Sequence, residues 1–304
     1  VRPDVVVHGA AVLAPVAYVE PELSEAVNLG GTRHLIDATK SHAPDAFFVF
    51  VSSYAAFGPV CPADPERSPV DPCYPDDNYG LQKLTAESWL SYSGLRQCSL
   101  RVGAVMDLQN LMPPHPSYRP FVFMVSLDQP EHGIDVRDVA RAIAAAAVVQ
   151  PDGHVLLIGG DDSWKLPARR LRKDVFGAIG LAVPPARAFR PNPDRTRKEG
   201  WFYESWMDTS QSEELLRFQR TSHDAFMKEL RRRYRRQRRL LRPLRPIVGR
   251  ALTIASPYLG RKAIVPGFTL WDDICEVFEV PDGIARTRSS MPPPAPPFAE
   301  KSAG

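Results

Sequence analysis

The sequence predicts a doubly wound parallel α/β sheet with a smaller, mixed C-terminal lobe and a basic helical arm. Three observations predict it. Short apolar runs alternate with segments of helical spacing over roughly the first 160 residues, these runs stop at small residues, and from about residue 164 the pattern becomes helices and loops. Alternating strand and helix is the pattern of a parallel sheet covered by helices, with its chemistry at the carboxyl ends of the strands. At 304 residues, 44% hydrophobic and 24% charged, the chain can build one core plus a lobe, which excludes a mostly disordered polymer.

Each element has its own signal. Val5-Val6-Val7, stopping at Gly9-Ala10-Ala11, reads as a buried parallel strand entering a tight turn. Glu22 to Lys40 then sets Leu23, Val27, Thr32, Leu35 and Ile36 at roughly helical spacing and closes near His42 and Pro44. Phe47 to Val51 is a second buried strand, ending at Ser52-Ser53. A proline-rich loop, Pro59 to Pro75, leads to a helix from about Asn78 to Ser93, and Ser99 to Val102 is a third strand. Asp138 to Val149 is an alanine-rich helix, and Val155 to Ile158, stopping at Gly159-Gly160, is a fourth strand. The 31 prolines cluster near 59–75, 113–120, 184–193 and 292–297, marking long loops and a disordered tail.

Several classes lose their support. Cys61, Cys73, Cys98 and Cys275 show no C-x-x-C spacing and no neighbouring histidine pair, so neither a metal site nor a disulfide framework is expected. The longest apolar run, Ala142 to Val149, is far shorter than the roughly 20 residues of a spanning helix, and no leader pattern is read at the start. The expected location is the cytoplasm. Phosphate-loop, zinc-protease and serine-hydrolase motifs are absent from the sequence.

The net charge of +3 conceals an asymmetry. Residues 228–250 hold ten arginines and one lysine against one glutamate, a net of +10 on a body of about −7. Leu230, Tyr234, Leu241, Leu244, Val248 and Leu252 recur there at three- and four-residue steps, interrupted at Pro243 and Pro246. Such a stripe on a cationic helix suits packing on the small lobe, or a peripheral position on an anionic membrane surface through 228–252. No specific nucleic acid is expected, because no recognised nucleic-acid fold accompanies the charge.

Tyr79-Gly80-Leu81-Gln82-Lys83 puts a phenol and an ammonium four residues apart on one helical face. A nearby ammonium favours the phenolate, so the pair can lower the tyrosine pKa and exchange a proton with a substrate hydroxyl. Ser53, ending the preceding strand, can hydrogen-bond the same substrate oxygen. Taken alone, the spacing fits a solvated helix face better.

Further motifs stand in order around it: Asn28-Leu29-Gly30-Gly31-Thr32, Val51-Ser52-Ser53-Tyr54-Ala55-Ala56-Phe57-Gly58, Ile134-Asp135-Val136-Arg137-Asp138-Val139-Ala140, and Asp208-Thr209-Ser210 to Phe218. With Asp4 to Ala11 and the Tyr79/Lys83 pair, this series resembles the extended short-chain dehydrogenase/reductases, the NAD-dependent epimerase/dehydratase family, over roughly residues 1–220. The resemblance implies a Rossmann-type sheet, NAD or NADP as cofactor, and a small-molecule substrate such as a nucleotide sugar. It implies Ser53 and Tyr79 as the proton-handling pair, Lys83 on the nicotinamide ribose, and Ala10 and Ala11 against the cofactor. Asn28 is expected to bend or tie its helix, His8 to be a satisfied core histidine, and Asp138 to cap its helix or orient a loop.

The sequence departs from the family pattern in three places. No glycine-rich G-x-x-G-x-x-G turn is found, and the first strand resembles the family's fourth. The expectation is therefore an N-terminally incomplete sheet, inactive as written and weak in NAD(H) binding. Phe57 stands where tyrosine is usual, and Arg101-Val102-Gly103 lacks the usual proline, which leaves the nicotinamide-side contacts open. The expected organisation is an incomplete dinucleotide-binding domain over 1–163, a substrate lobe over 164–227, a basic arm and extension over 228–284, and a disordered tail over 285–304. An epimerase/dehydratase-type oxidoreductase is the primary expectation. A hydroxysteroid-dehydrogenase-like enzyme and a non-catalytic binding module are the alternatives, and a homodimer is the expected assembly if the chain oligomerises.

Overall fold

A computed structural model describes residues 2–111, 115–195, 197–260 and 269–280. The tail expected over 285–304 lies outside the described residues.

Four strands form the main sheet in the order β1 (Val5–His8), β2 (Phe47–Ser53), β3 (Gln97–Val102) and β6 (His154–Ile158), all parallel. β2 explains why this sheet is legible from sequence. Its aromatic and β-branched residues face both ways, so Phe47 and Val49 join Leu100, Leu156 and helix α6 (Val136–Val149) on one side. On the other side Phe48 and Phe50 meet Ile36 of α3 (Thr32–His42) and Leu90 of α4 (Asn78–Ser91). Helices thus cover both faces, the requirement for a parallel sheet buried throughout.

A second sheet joins β4 (Ala104–Met106) and β5 (Pro130–Asp135) in parallel, with β7 (Lys165–Pro167) antiparallel to β5. The sequence reading missed these three strands, and it expected only helices and loops after 164. Every residue of β5 is buried although half of it is charged or imidazole. Each such side chain has a partner: Glu131 receives a two-pronged bond from Arg172 at 2.7 and 2.9 Å, His132 Nε2 donates to the Gly160 carbonyl at 2.8 Å, and Asp135 pairs with Arg137. The Met207 amide donates to His132 Nδ1 at 3.2 Å, which fixes the neutral tautomer, and burial holds the ring's pKa down at about 4.

The helix expected over Glu22–Lys40 is three segments: α2 (Pro21–Glu25), a π-helical turn (Ala26–Gly31) and α3. Asn28, in the π turn, accepts from the Val12 amide at 2.8 Å and donates to the Val12 carbonyl and to Gln82 Oε1 at 3.0 and 2.8 Å. Its side chain ties the end of β1 to α4, a use that suits the extra residue of a π turn. His8 bonds Thr32 at 2.8 Å between Phe48 and Phe50. The N-cap of α6 is Asp135, one turn earlier than the sequence reading had it; Asp138 instead accepts from the Arg220 and Thr221 amides and orients that loop. The proline cluster near 113–120, expected to mark a loop, overlaps the start of α5 (Tyr118–Met124).

Beyond α7 (Ala168–Ile179) and α8 (Ser210–Leu216), the basic arm folds as α9 (His223–Arg233), α10 (Arg235–Leu241) and α11 (Arg245–Ile254). Gly180, at φ +92°, ends α7 in a left-handed turn, and a side chain there would meet the Arg238 backbone at 2.7 Å, so the glycine lets α10 press against α7. Of the expected stripe, Leu230 is buried and Tyr234, Leu241, Val248 and Leu252 are half-buried, whereas Leu244 is exposed. The last described helix, α12 (Leu270–Phe278), begins with a capping box of Thr269 and Asp272 and brings Leu270, Trp271, Ile274 and Phe278 into the core.

Candidate active site

The site stands where β2 ends and α4 begins. Ser53 is the last residue of β2, and its hydroxyl accepts from the Ala55 amide at 3.2 Å, opening a 3₁₀ turn over Tyr54–Phe57. Asp77 caps α4 through the Gly80 amide at 3.0 Å. α1 (Val16–Val19) holds this helix start in place: Tyr18 donates from its hydroxyl to Asp77 at 3.2 Å, and Asn78 donates to the Ala17 carbonyl at 2.7 Å. Tyr79 consequently lies beside Ser53, close enough for that hydroxyl to favour its phenolate.

Tyr79, Lys83 and Glu87 follow one another at four-residue steps, one stripe of α4 laid on the sheet. Lys83 is 4% exposed; its ammonium donates to the Val51 carbonyl at 2.9 Å and lies 5.0 Å from the Phe50 ring centre and 5.9 Å from that of Tyr79. One turn further, Glu87 pairs with buried Arg101 of β3 at 2.7 Å, and the Arg101 guanidinium covers the Phe57 ring at 4.5 Å. α4 is thereby pinned to β2 and β3 along its length.

The electrostatics differ from the sequence expectation in one respect. Burial pushes the Tyr79 phenol above its ordinary pKa and the nearby Asp77 carboxylate pushes it the same way, with the Ser53 hydroxyl opposing. The Lys83 ammonium donates to the Val51 carbonyl, 5.9 Å from the centre of the Tyr79 ring. Burial also brings Lys83 itself down to about 8.

The structure therefore brings Ser53, Tyr79 and Lys83 together. Ala10 and Ala11 follow the end of β1, the strand paired with β2, at the sheet's carboxyl end, and are exposed and half-buried respectively. Sequence reasoning missed Tyr18 and Asp77, whose contact spans 59 residues. A cleft of about 490 Å³ opens at the opposite end of the sheet, between Asp4, His42, Arg96 and Gln150, and none of the three site residues lines it. Tyr79 itself belongs to a buried hydrophobic cluster that also holds Tyr18, Phe123, Phe189, Phe202 and Trp271.

Residues 1–116 match the NAD dependent epimerase/dehydratase family. No curated protein matches the chain. Among solved structures, the chain is similar to the UDP-glucose 4-epimerase of Thermotoga maritima with UDP-glucose (TM-score 0.61, 21% identity, covering 77% of this chain and 78% of that one). It is similar also to MoeE5 in complex with UDP-glucuronic acid and NAD (TM-score 0.60, 21% identity, 77% and 79%). A third is RMD from Pseudomonas aeruginosa complexed with NADPH (TM-score 0.60, 18% identity, 78% and 82%). At these identities the likeness is one of fold.

Proposed function

We propose that this chain, whose residues 1–116 carry the pattern of the NAD dependent epimerase/dehydratase family, is the body of an NAD(P)-dependent oxidoreductase acting at a substrate carbinol, with Tyr79 handling the proton. The observation that carries this reading is the convergence of Ser53, Tyr79 and Lys83 at the carboxyl end of β2. The nicotinamide, when bound, supplies the hydride acceptor or donor.

The residues present fit its ribose end. Lys83 offers a positioned ammonium donor, and Ala10 and Ala11 are small, incompletely covered residues closing the adjacent strand. For a pyrophosphate, the 304 residues contain no G-x-x-G-x-x-G turn to present backbone N–H groups. This chain alone is therefore expected to bind NAD(H) more weakly than micromolar and to turn over poorly. Within the site, Tyr79 is protonated at neutral pH as an ordinary phenol is, and burial raises its pKa further, so it is poised to donate.

A second reading concerns the substrate. The apolar residues that share a buried core cluster with Tyr79 keep an apolar secondary alcohol of the hydroxysteroid type as the alternative to a nucleotide sugar. Turnover with millimolar NAD(P), followed by reduced-nicotinamide absorbance over a panel of nucleotide sugars and hydroxysteroids, separates the two. With whichever substrate is active, Tyr79→Phe is expected to lower kcat by about 10²–10⁴-fold with the cofactor KM little changed. Unchanged turnover in Tyr79→Phe would exclude it as the proton carrier, whereas an unchanged cellular function in Tyr79→Phe would favour a non-catalytic binding module.

A further inference from the structure

The basic arm has two apolar faces. The first packs the arm onto the protein through Leu230, Tyr234, Leu241, Val248 and Leu252, with Arg245 donating to the Leu181 carbonyl at 3.1 Å. The second faces solvent: Leu240 is 74% exposed, Leu244 46%, Ile247 67% and Ile254 65%. Across the α10–α11 turn, Leu244 and Arg245 bond back three residues to Leu241 and Arg242, and Val248 bonds back four to Leu244. The exposed apolar residues follow one another along the arm at steps of four, three and seven.

Arginines accompany these residues: Arg236, Arg239 and Arg250 are interspersed with them along the arm, and all three are exposed. Among the described residues the ion pair of this segment is Glu229 with Arg137, so its single glutamate turns toward α6 and leaves the arginines uncompensated. An exposed apolar stripe flanked by uncompensated arginines is the pattern of a helix lying in the headgroup layer of a membrane, with aliphatic side chains dipping into the acyl boundary and guanidinium groups on phosphates.

We propose that the exposed face of α10–α11 is a docking surface for an anionic lipid membrane. A second copy of the chain is disfavoured as occupant, because it would bring another +10 against the first. A nucleic acid would engage the arginines but would have no use for Leu240, Ile247 and Ile254. Among the described residues no helix is long and apolar enough to cross a bilayer, so the attachment would be peripheral.

The test uses the full chain in co-sedimentation with phosphatidylglycerol/phosphatidylcholine vesicles and with pure phosphatidylcholine vesicles. Binding is expected to the anionic vesicles only and to weaken as salt rises. Arg236, Arg239 and Arg250 replaced together by Gln should weaken it by on the order of a hundredfold, and Leu240→Gln with Ile247→Gln by at least about tenfold. These positions are exposed, and a melting curve matching the parent shows that each variant is folded. Three results overturn the proposal: no binding to anionic vesicles, equal binding to neutral ones, or binding unaffected by Leu240→Gln with Ile247→Gln. Duplex DNA that competes the chain off vesicles regardless of the apolar substitutions would assign the face to nucleic acid instead.

Discussion

Gly80 has no room for a side chain. A Cβ at that position would lie 2.4 Å from the Ala55 carbonyl and 2.5 Å from Asp77 Oδ1, so the absence of one lets the first turn of α4 close on the Ser53 turn. Gly80→Ala is expected to cost about 1–3 kcal/mol by overpacking, visible in a thermal melt. It should lower kcat more than stability alone explains, because it moves Tyr79 away from Ser53. Lys83 carries the opposite imbalance. Its folded pKa of about 8 lies below the ordinary 10.5, so below pH 8 the fold carries a buried ammonium at a cost on the order of 3 kcal/mol. The unfolded chain binds this proton more tightly than the folded one, so the penalty is complete below pH 8 and fades as pH rises toward 10.5. Lys83→Met should therefore be more stable than the parent near neutrality, less the lost bond to Val51. Denaturant titrations of the two should converge by about pH 10.5, and a gap independent of pH would contradict the buried charge.

Among the elements, those that bury hydrocarbon were legible and those that bury polar groups were not. β2 and β3 emerge within about two residues of where the sequence puts them, since a run such as Phe47-Phe48-Val49-Phe50 has no use except between two packed layers. β5 reads as Pro130-Glu131-His132-Gly133-Ile134-Asp135, a poor strand on hydropathy, and is nevertheless wholly buried because its partners come from residues 137, 160, 172 and 207. No local pattern encodes those pairings. Ser53, Tyr79 and Lys83 were legible because a strand end and a four-residue helical step are local features. Tyr18 and Asp77, which aim that helix, were not. The basic arm was read as one apolar stripe, and Leu244 was assigned to it. In the folded chain Leu244 belongs to a second stripe, a distinction that requires knowing which side α7 occupies.

Across the whole molecule, the far end of the chain is joined to the site. Arg190 is buried and donates from Nε to Asp273 of α12 at 2.7 Å, while Tyr258 donates its hydroxyl to the same carboxylate oxygen at 3.0 Å. Asp273→Ala would leave that guanidinium buried without its counter-charge and is expected to destabilise the protein by about 3–5 kcal/mol. Replacing Arg190 and Asp273 together by apolar residues of similar volume should recover most of the loss in the same unfolding measurement. If the single and double variants lose equally, the pair contributes packing rather than charge. α12 also brings Trp271 and Phe278 against Tyr18 at ring separations of 5.8 and 5.9 Å.

That aromatic contact sets a timetable for biogenesis. Tyr18 leaves the ribosome about 250 residues ahead of Trp271, and at roughly 5–20 residues per second this interval is about ten to fifty seconds. The four-stranded sheet can form while synthesis continues, whereas the aromatic cap over Tyr18 cannot. Nascent chains stalled before residue 269 should therefore protect β2 and β3 from protease while leaving the segment around Tyr18 cleavable, with the latter closing only after α12 has emerged.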